Sequence, residues 1–526
     1  MPSKRMSRRG LFRSGAALAA AGVSASVPEP APAAPTPALD LGGGLYPSIG
    51  VTPIVNCRGT YTIITGSETL PEVQRAMDAA SHAYVHMDEL MEAVGQRLAD
   101  LTKAEWGIVT AGCAAALTHA TCACIAGCDP EKMQRLPNLA GLKDEVVVPR
   151  YSRNEYDHAV RMLGVKMVEV ETDAQFEAAL SPRTAMVMIL SCPAAEKGEL
   201  SIPNACAMAR RKNVPVIVDA AAETLTIPNI HLQHGAHMVA YSGGKCLRGP
   251  QAAGLLLGQK DLVRAAWINS APHHAFGRSM KVGKEEIMGM LAAVEMWMRR
   301  DHGAEWNQWQ AWLDTIAAQA TQVPGVTSEI LQPEDLSNHA PRLRLHWDAE
   351  RLGIAGSEAE DILWHGHPRI AVNESSGTRR DRASSSLTIM PYMMMPGDDQ
   401  VAAAAIRKLL ANPPHFAVPE PEAPAVDVTG EWVADLAFVS GSSRHHFTFE
   451  QRDRQLGGID RGDILSGKLT GAVEGRRVTF RSAQRIEGST LRFEFSGDVA
   501  GGQMEGVVEL GEYGQARFTA QRAGAT

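Results

Sequence analysis

The sequence predicts an α/β fold, a mostly parallel sheet with helices on both faces, followed by a smaller α/β domain and an all-β barrel or sandwich. Three observations predict it. Between residues 106 and 257, short apolar runs alternate with helical stretches, the pattern of a parallel sheet covered on both sides. Within that region a turn, Ser242-Gly243-Gly244-Lys245, stands between two apolar runs, and an acid, Asp219, closes an earlier one. After Gly430 the pattern changes to period-two alternation broken by glycine turns about every 10 to 15 residues, which marks an antiparallel barrel or sandwich.

The N-terminal residues read as an address. Ser7-Arg8-Arg9-Gly10-Leu11-Phe12-Arg13 precedes a mildly apolar run from Ser14 to Ala25, the layout of a twin-arginine export signal. The run is well short of the roughly 20 residues a spanning helix needs, so no stable membrane anchor is expected. No cysteine precedes Cys57, which disfavours a lipid anchor, and the Pro/Ala stretch from Val27 to Ala38 reads as an unstructured tether. The expected localisation is periplasmic or otherwise exported, with the twin-arginine machinery as a partner. That pathway carries folded proteins, so a cofactor would be loaded in the cytoplasm.

At 526 residues the chain is too long for one compact core. A net charge of −8 with 21% charged residues suits a soluble enzyme, and no basic run interleaved with aromatics is present, so no nucleic-acid partner is expected. Cys122, Cys124 and Cys128 have a spacing that a metal could use. Cys122 and Cys124 belong with Cys113 to one apolar helical stretch, however, so small-residue core packing is the expected role and no metal is assigned.

Taking the elements in order, Val51 to Arg58 is an entry segment, and Leu70–Ser81 and Met87–Leu101 are amphipathic helices. Trp106–Thr110 is a buried strand running through Ala111-Gly112-Cys113 into an alanine-rich helix, 114–126. A strand, a glycine turn and a helix N-terminus together form an anion cradle, because free N–H groups and the helix dipole both favour a phosphate there. Further strands are expected at 145–149, 166–170, 184–190, 214–219, 237–241 and 253–257. Ligands of such a sheet bind at the strands' C-terminal ends, where Thr110, Asp219 and Ser242 all fall.

A lysine after a glycine turn, with an acid ending a neighbouring buried strand, is what pyridoxal 5'-phosphate (PLP) chemistry needs. Lys245 would form the Schiff base, and an ionised Asp219 would keep the pyridine nitrogen protonated. Ala111, Gly112, Cys113 and Ser242 are the candidates for the phosphate, and the glycines would let backbone crowd the cofactor. In the loop Tyr151-Ser152-Arg153-Asn154 with Tyr156-Asp157-His158, either Asn154 or His158 is expected to touch the ring or substrate. Glu223 is a further acid, and Arg248, Arg278 and Arg369 are candidates for an anionic substrate group.

Five segments, in order and spacing, carry a resemblance: 56–60 (Asn-Cys-Arg-Gly-Thr), 110–118, 219–223, 242–251 and 277–286. Together they resemble the selenocysteine-synthase-like branch of fold-type I PLP enzymes, and within it the D-glucosaminate-6-phosphate ammonia-lyase-like group. The resemblance spans about residues 50 to 410. It implies the PLP cofactor, a small-molecule amine substrate, and a homodimer or larger homo-oligomer in which Arg278 could serve a neighbouring subunit's site. It also places the 151–158 loop over the cofactor face.

The expected domains are a signal and tether at 1–40, a PLP-binding large domain at 41–323 and a small domain at 324–411, then a linker at 412–425 and an antiparallel β domain at 426–526. The expected function is a lyase acting on an amino acid or amino-sugar acid by α-proton abstraction and β-elimination. Aminotransferase or racemase chemistry uses the same lysine and acid and stays open. A selenocysteine-synthase-like transferase is a second alternative, which export from the tRNA compartment disfavours. A cofactor-free binding protein is a third, which the presence of both Lys245 and Asp219 disfavours.

Overall fold

Seven strands form the main sheet: β2 (Trp106–Thr110), β3 (Glu145–Pro149), β4 (Lys166–Val170), β5 (Thr184–Leu190), β6 (Val216–Asp219), β7 (Met238–Ser242) and β8 (Gly254–Gly258). Their order is β2-β8-β7-β6-β5-β3-β4, and β8 alone runs antiparallel to its neighbours. Residues of β2, β6 and β8 are buried throughout, which is why these strands read as continuous apolar runs rather than as alternation. This computed structural model describes residues 39–378, 384–414 and 422–524. The double-arginine segment, its apolar run and residues 415–421 of the expected linker lie outside the described residues.

The chain divides into two compact units, Met1–Pro53 and Ile54–Thr526. Of the first, residues 39–53 hold one helical turn, Leu45–Ser48.

The second unit contains three cores. The largest surrounds the seven-stranded sheet, with the helix Gly112–Ala126 almost wholly buried in it. A second lies under a four-stranded antiparallel sheet, β12 (Glu374–Ser376), β13 (Ser385–Ile389), β10 (Arg342–Trp347) and β9 (Thr327–Leu331), with the helices Gly356–His365 and Asp398–Ala411. Beside it the entry segment forms β1 (Ile54–Cys57), paired in parallel with β11 (Arg369–Val372).

The third core fills a closed barrel of eight strands: β14 (Gly430–Ala437), β15 (Ser442–Arg452), β16 (Gln455–Arg461), β17 (Ser466–Glu474), β18 (Arg477–Ile486), β19 (Ser489–Ala500), β20 (Gln503–Glu509) and β21 (Gln515–Arg522). Each strand pairs with the next, and β21 closes on β14. Trp432, Phe447, Phe449, Phe495 and Phe518 pack the interior, so it is filled rather than hollow. Set among them is a buried polar cluster in which Asp460 meets His445 Nδ1 at 2.6 Å and accepts from Ser482 and from Gln484 Nε2 at 3.0 Å. Between barrel and sandwich the structure shows the barrel. It also contains β16, which the sequence pattern did not predict because Gly457 and Gly458 interrupt its alternation.

Candidate active site

Thr110, Asp219 and Ser242 end β2, β6 and β7 at the same edge of the sheet. Gly254 of β8 lies opposite both Thr110 and Ser242. A side chain at Gly254 would overlap the backbone of Gly112 and approach Cys113 N to 2.6 Å, so this glycine lets the start of the helix Gly112–Ala126 sit directly on the sheet edge. Gly112 itself has φ +85°, and a Cβ there would meet nothing within 4 Å. The helix has no side-chain cap at Ala111, so no capping side chain takes up its first N–H groups.

Asp219 is 2% exposed. Its Oδ1 accepts from Ala221 N at 3.1 Å and from the Cys113 thiol at 3.6 Å. Burial raises the carboxyl above the usual carboxylate range and the neighbouring Glu223 adds to this, against the pull of the Ala221 N–H, Lys245 and the Cys113 thiol. Lys245 is half-buried, within electrostatic reach of both Asp219 and Cys113. Burial, then Asp219, pushes the Cys113 thiol well up, so it stays protonated and donates.

The glycines before Lys245 answer to packing within the chain. A Cβ on Gly243 would lie 2.8 Å from Ala253 O, and one on Gly244 would lie 2.7 Å from Gln251 Cα. The two glycines thus let the 242–251 turn fold tightly on itself.

Glu223 is buried, bonded to the Ser191 hydroxyl and, at 2.6 Å, to His231 Nε2. It is thus a buried neighbour of Asp219. Asn154 uses its amide locally, accepting from Tyr156 N at 2.7 Å and donating to Ser152 O at 2.9 Å. His158 is exposed. In the same loop the phenol of Tyr156 is raised, by desolvation first and then by Asp219, with Glu155, Cys113 and Glu512 adding to the effect.

Arg248 has φ +51° and donates from Nε to Glu68 O at 3.0 Å. Arg278 is exposed. Arg369 starts β11 opposite Ile54 and stacks on Trp364 at 5.4 Å, three residue steps, about 10 Å, from the Cys57 end of that pair. The structure therefore brings together Lys245, Asp219, Cys113, Gly112, Ser242 and Glu223.

No family model matches the chain. It is 30% identical over 329 residues to the D-glucosaminate-6-phosphate ammonia lyase of Salmonella typhimurium, covering 61% of this chain and 86% of that protein. It is also 30% identical over 379 residues to a 5'-C-glycyluridine monooxygenase-decarboxylase of Streptomyces sp, covering 70% of this chain and 92% of that one. A solved structure of D-glucosaminate-6-phosphate ammonia-lyase superposes with a TM-score of 0.61 at 28% identity, over 69% of this chain and 97% of that chain. The chain belongs to the D-glucosaminate-6-phosphate ammonia-lyase-like group of fold-type I PLP enzymes.

The residues present fit that family's cofactor. The open space at Gly112, before an uncapped helix N-terminus, suits a phosphate. Asp219, buried and held above its ordinary range, gains by meeting a cationic ring nitrogen, and Lys245 stands within reach as the amine that links to the aldehyde. Ser242 ends its strand at the same edge. Tyr156 was not singled out from sequence, since choosing it over His158 within one loop requires the backbone path.

Proposed function

We propose that this protein is a PLP-dependent lyase that removes ammonia from an amino acid or amino-sugar acid bearing a hydroxyl on the carbon next to the amine-bearing one. The observation that carries the reading is Lys245 beside the buried Asp219, on a chain that matches 86% of an ammonia lyase. When bound, PLP withdraws electrons from the amine-bearing carbon and so acidifies its C–H bond.

The chain's own residues do the rest. Lys245 Nζ, once displaced by the substrate amine, takes that proton and returns it to the departing hydroxyl, which leaves as water. The dehydrated product takes up water on release, and the net yield is a 2-keto acid and ammonia. Asp219 would meet the ring nitrogen as a carboxylate, and Glu223, anchored by Ser191 and His231, is held as a second buried acid that acts on it. An exported enzyme would act on an unphosphorylated substrate.

The equal identity to a monooxygenase-decarboxylase favours a second reading, in which oxygen is consumed. The deciding experiment combines spectra of wild type and Lys245→Ala, before and after borohydride, with ammonia, keto-acid and oxygen measurements on β-hydroxy amino acids and amino-sugar acids. One ammonia per keto acid without oxygen uptake supports the lyase. Oxygen uptake supports the second reading, and no visible band after adding PLP overturns both.

Two further parts of the proposal are separately testable. Export through the twin-arginine pathway predicts periplasmic protein that Arg8→Lys with Arg9→Lys retains in the cytoplasm. Self-association is supported by exposed Tyr61, Ile63, Tyr84 and Val85, apolar side chains that a second copy would cover. Sedimentation of the intact chain should give a dimer or larger, and a monomer would refute this.

A further inference from the structure

The barrel is docked on the active-site loop. Arg153 follows β3 in the 150–157 loop, and its side chain is only 2% exposed. Its guanidinium bonds Asp157, meets Glu169 at 2.5 Å and reaches Glu487 of the barrel at 2.5 Å. Glu487 and Gly488 are the two-residue turn between β18 and β19. Glu487 has φ +52°, the left-handed conformation that a two-residue hairpin turn calls for.

Gly488 makes the closer approach. A Cβ there would overlap the carbonyl oxygen of Asn154 and lie 2.7 Å from its nitrogen, so the hairpin tip lies backbone to backbone on the loop. A second barrel element, the single turn Gly511–Tyr513, is within electrostatic reach of the same loop: Glu512 acts on Tyr156, and Glu155 acts on Tyr513. The loop follows the C-terminal end of β3, the same end of the sheet at which Thr110, Asp219 and Ser242 lie, and Tyr156 feels both Asp219 and Cys113.

We propose that the C-terminal barrel is a wall of the active-site mouth, built in cis, which clamps residues 153–156 through its Glu487–Gly488 tip and thereby limits the size of the amine that reaches Lys245. The clamp stands on contacts within the chain, and its effect on substrate access rests on the PLP reading above. In the ammonia-lyase structure 97% of the chain is matched by 69% of this one, which leaves 31% of this chain, 100 − 69, free for added functions of this kind.

The test uses the full chain with Gly488→Val, whose side chain cannot coexist with Asn154 in its present position, and Glu487→Gln, which weakens the ion pair without adding bulk. Hydrogen exchange of residues 150–161 is read on cofactor-free protein, with exchange of the barrel strands as the control for barrel folding. On PLP-loaded protein, the trapping rates of two cofactor-reactive amines are compared, hydroxylamine and the bulkier O-benzylhydroxylamine.

In Gly488→Val we expect loop exchange to rise about tenfold, and the O-benzylhydroxylamine rate to rise with it while the hydroxylamine rate stays within about twofold. Glu487→Gln should move the same quantities in the same direction by a smaller factor. Unchanged loop exchange in both variants overturns the clamp. Raised exchange with an unchanged ratio of the two trapping rates overturns the wall. Should the valine variant lose barrel protection, Glu487→Gln alone decides. A chain that binds no PLP fails the functional reading, while the exchange result still judges the clamp.

Discussion

Arg153→Met probes the clamp from the opposite side, and its cost follows from how each partner is buried. Glu169 and Glu487 are 31% and 42% exposed, so water replaces the lost guanidinium and each contributes about 0.5 kcal/mol. Asp157 is fully buried, and its Oδ1 has no hydrogen-bond partner even with Arg153 in place. Leaving such a charge uncompensated costs about 3–5 kcal/mol. The deficit depends on pH. Burial already raises the Asp157 carboxyl, with Arg153 the chief group pulling it down, so the variant raises it further. A carboxyl raised in the folded state stabilises the protein below its unfolded pKa, about 3.9, and loses that contribution as pH rises through the folded value. The variant should therefore be most deficient near pH 8 and recover toward about pH 5. Circular-dichroism melting should show Tm lowered by roughly 10 °C at the higher pH and by less at the lower. A loss under about 2 °C, or the same loss at both pH values, would refute the reasoning.

Four other outcomes are expected. Asp219→Asn removes the charge that the ring nitrogen meets, and kcat for ammonia release should fall roughly 10²–10⁴-fold with folding intact by circular dichroism. Gly254→Ala pushes Gly112 and Cys113 off the sheet edge, so PLP affinity, measured by fluorescence titration, should weaken at least about tenfold. Iodoacetamide near neutral pH should label exposed Cys128 first, while buried Cys122 and Cys246, each pushed up to about 12 by desolvation, stay unmodified by mass spectrometry. Asp460→Ala strands His445, Ser482 and Gln484 inside the barrel and should cost about 3 kcal/mol, seen as an earlier melting transition.

The main sheet was legible because its strands are covered on both faces, so they stand out as apolar runs, and because Asp219 and Ser242 close two of them at the ligand-binding edge. The barrel was legible from alternation alone, except at β16, where Gly457 and Gly458 erase the apolar signal. Side-chain commitments in the 151–158 loop were harder to read. Asn154 invites a catalytic role, yet its amide folds its own turn, a use that asparagine before a short turn signals in general. Arg369 lies at the far end of β11 because the parallel pairing with β1 sets the register, and that pairing joins residues more than 300 positions apart. The Arg153–Glu487 bond spans 334 positions and leaves no local trace in the sequence.

Closure of the barrel also orders events in time. β21 must pair with β14, so the barrel is complete only once residue 522 has been made. Residue 153 emerges some 370 positions earlier, and at about 5–20 residues per second the loop waits on the order of 20–70 s for the hairpin that will hold it. The cofactor fold itself needs residues up to 411, so over about the last 110 positions, on the order of 5–20 s, it can stand complete with its mouth unwalled, and PLP can enter by the widest route the molecule offers.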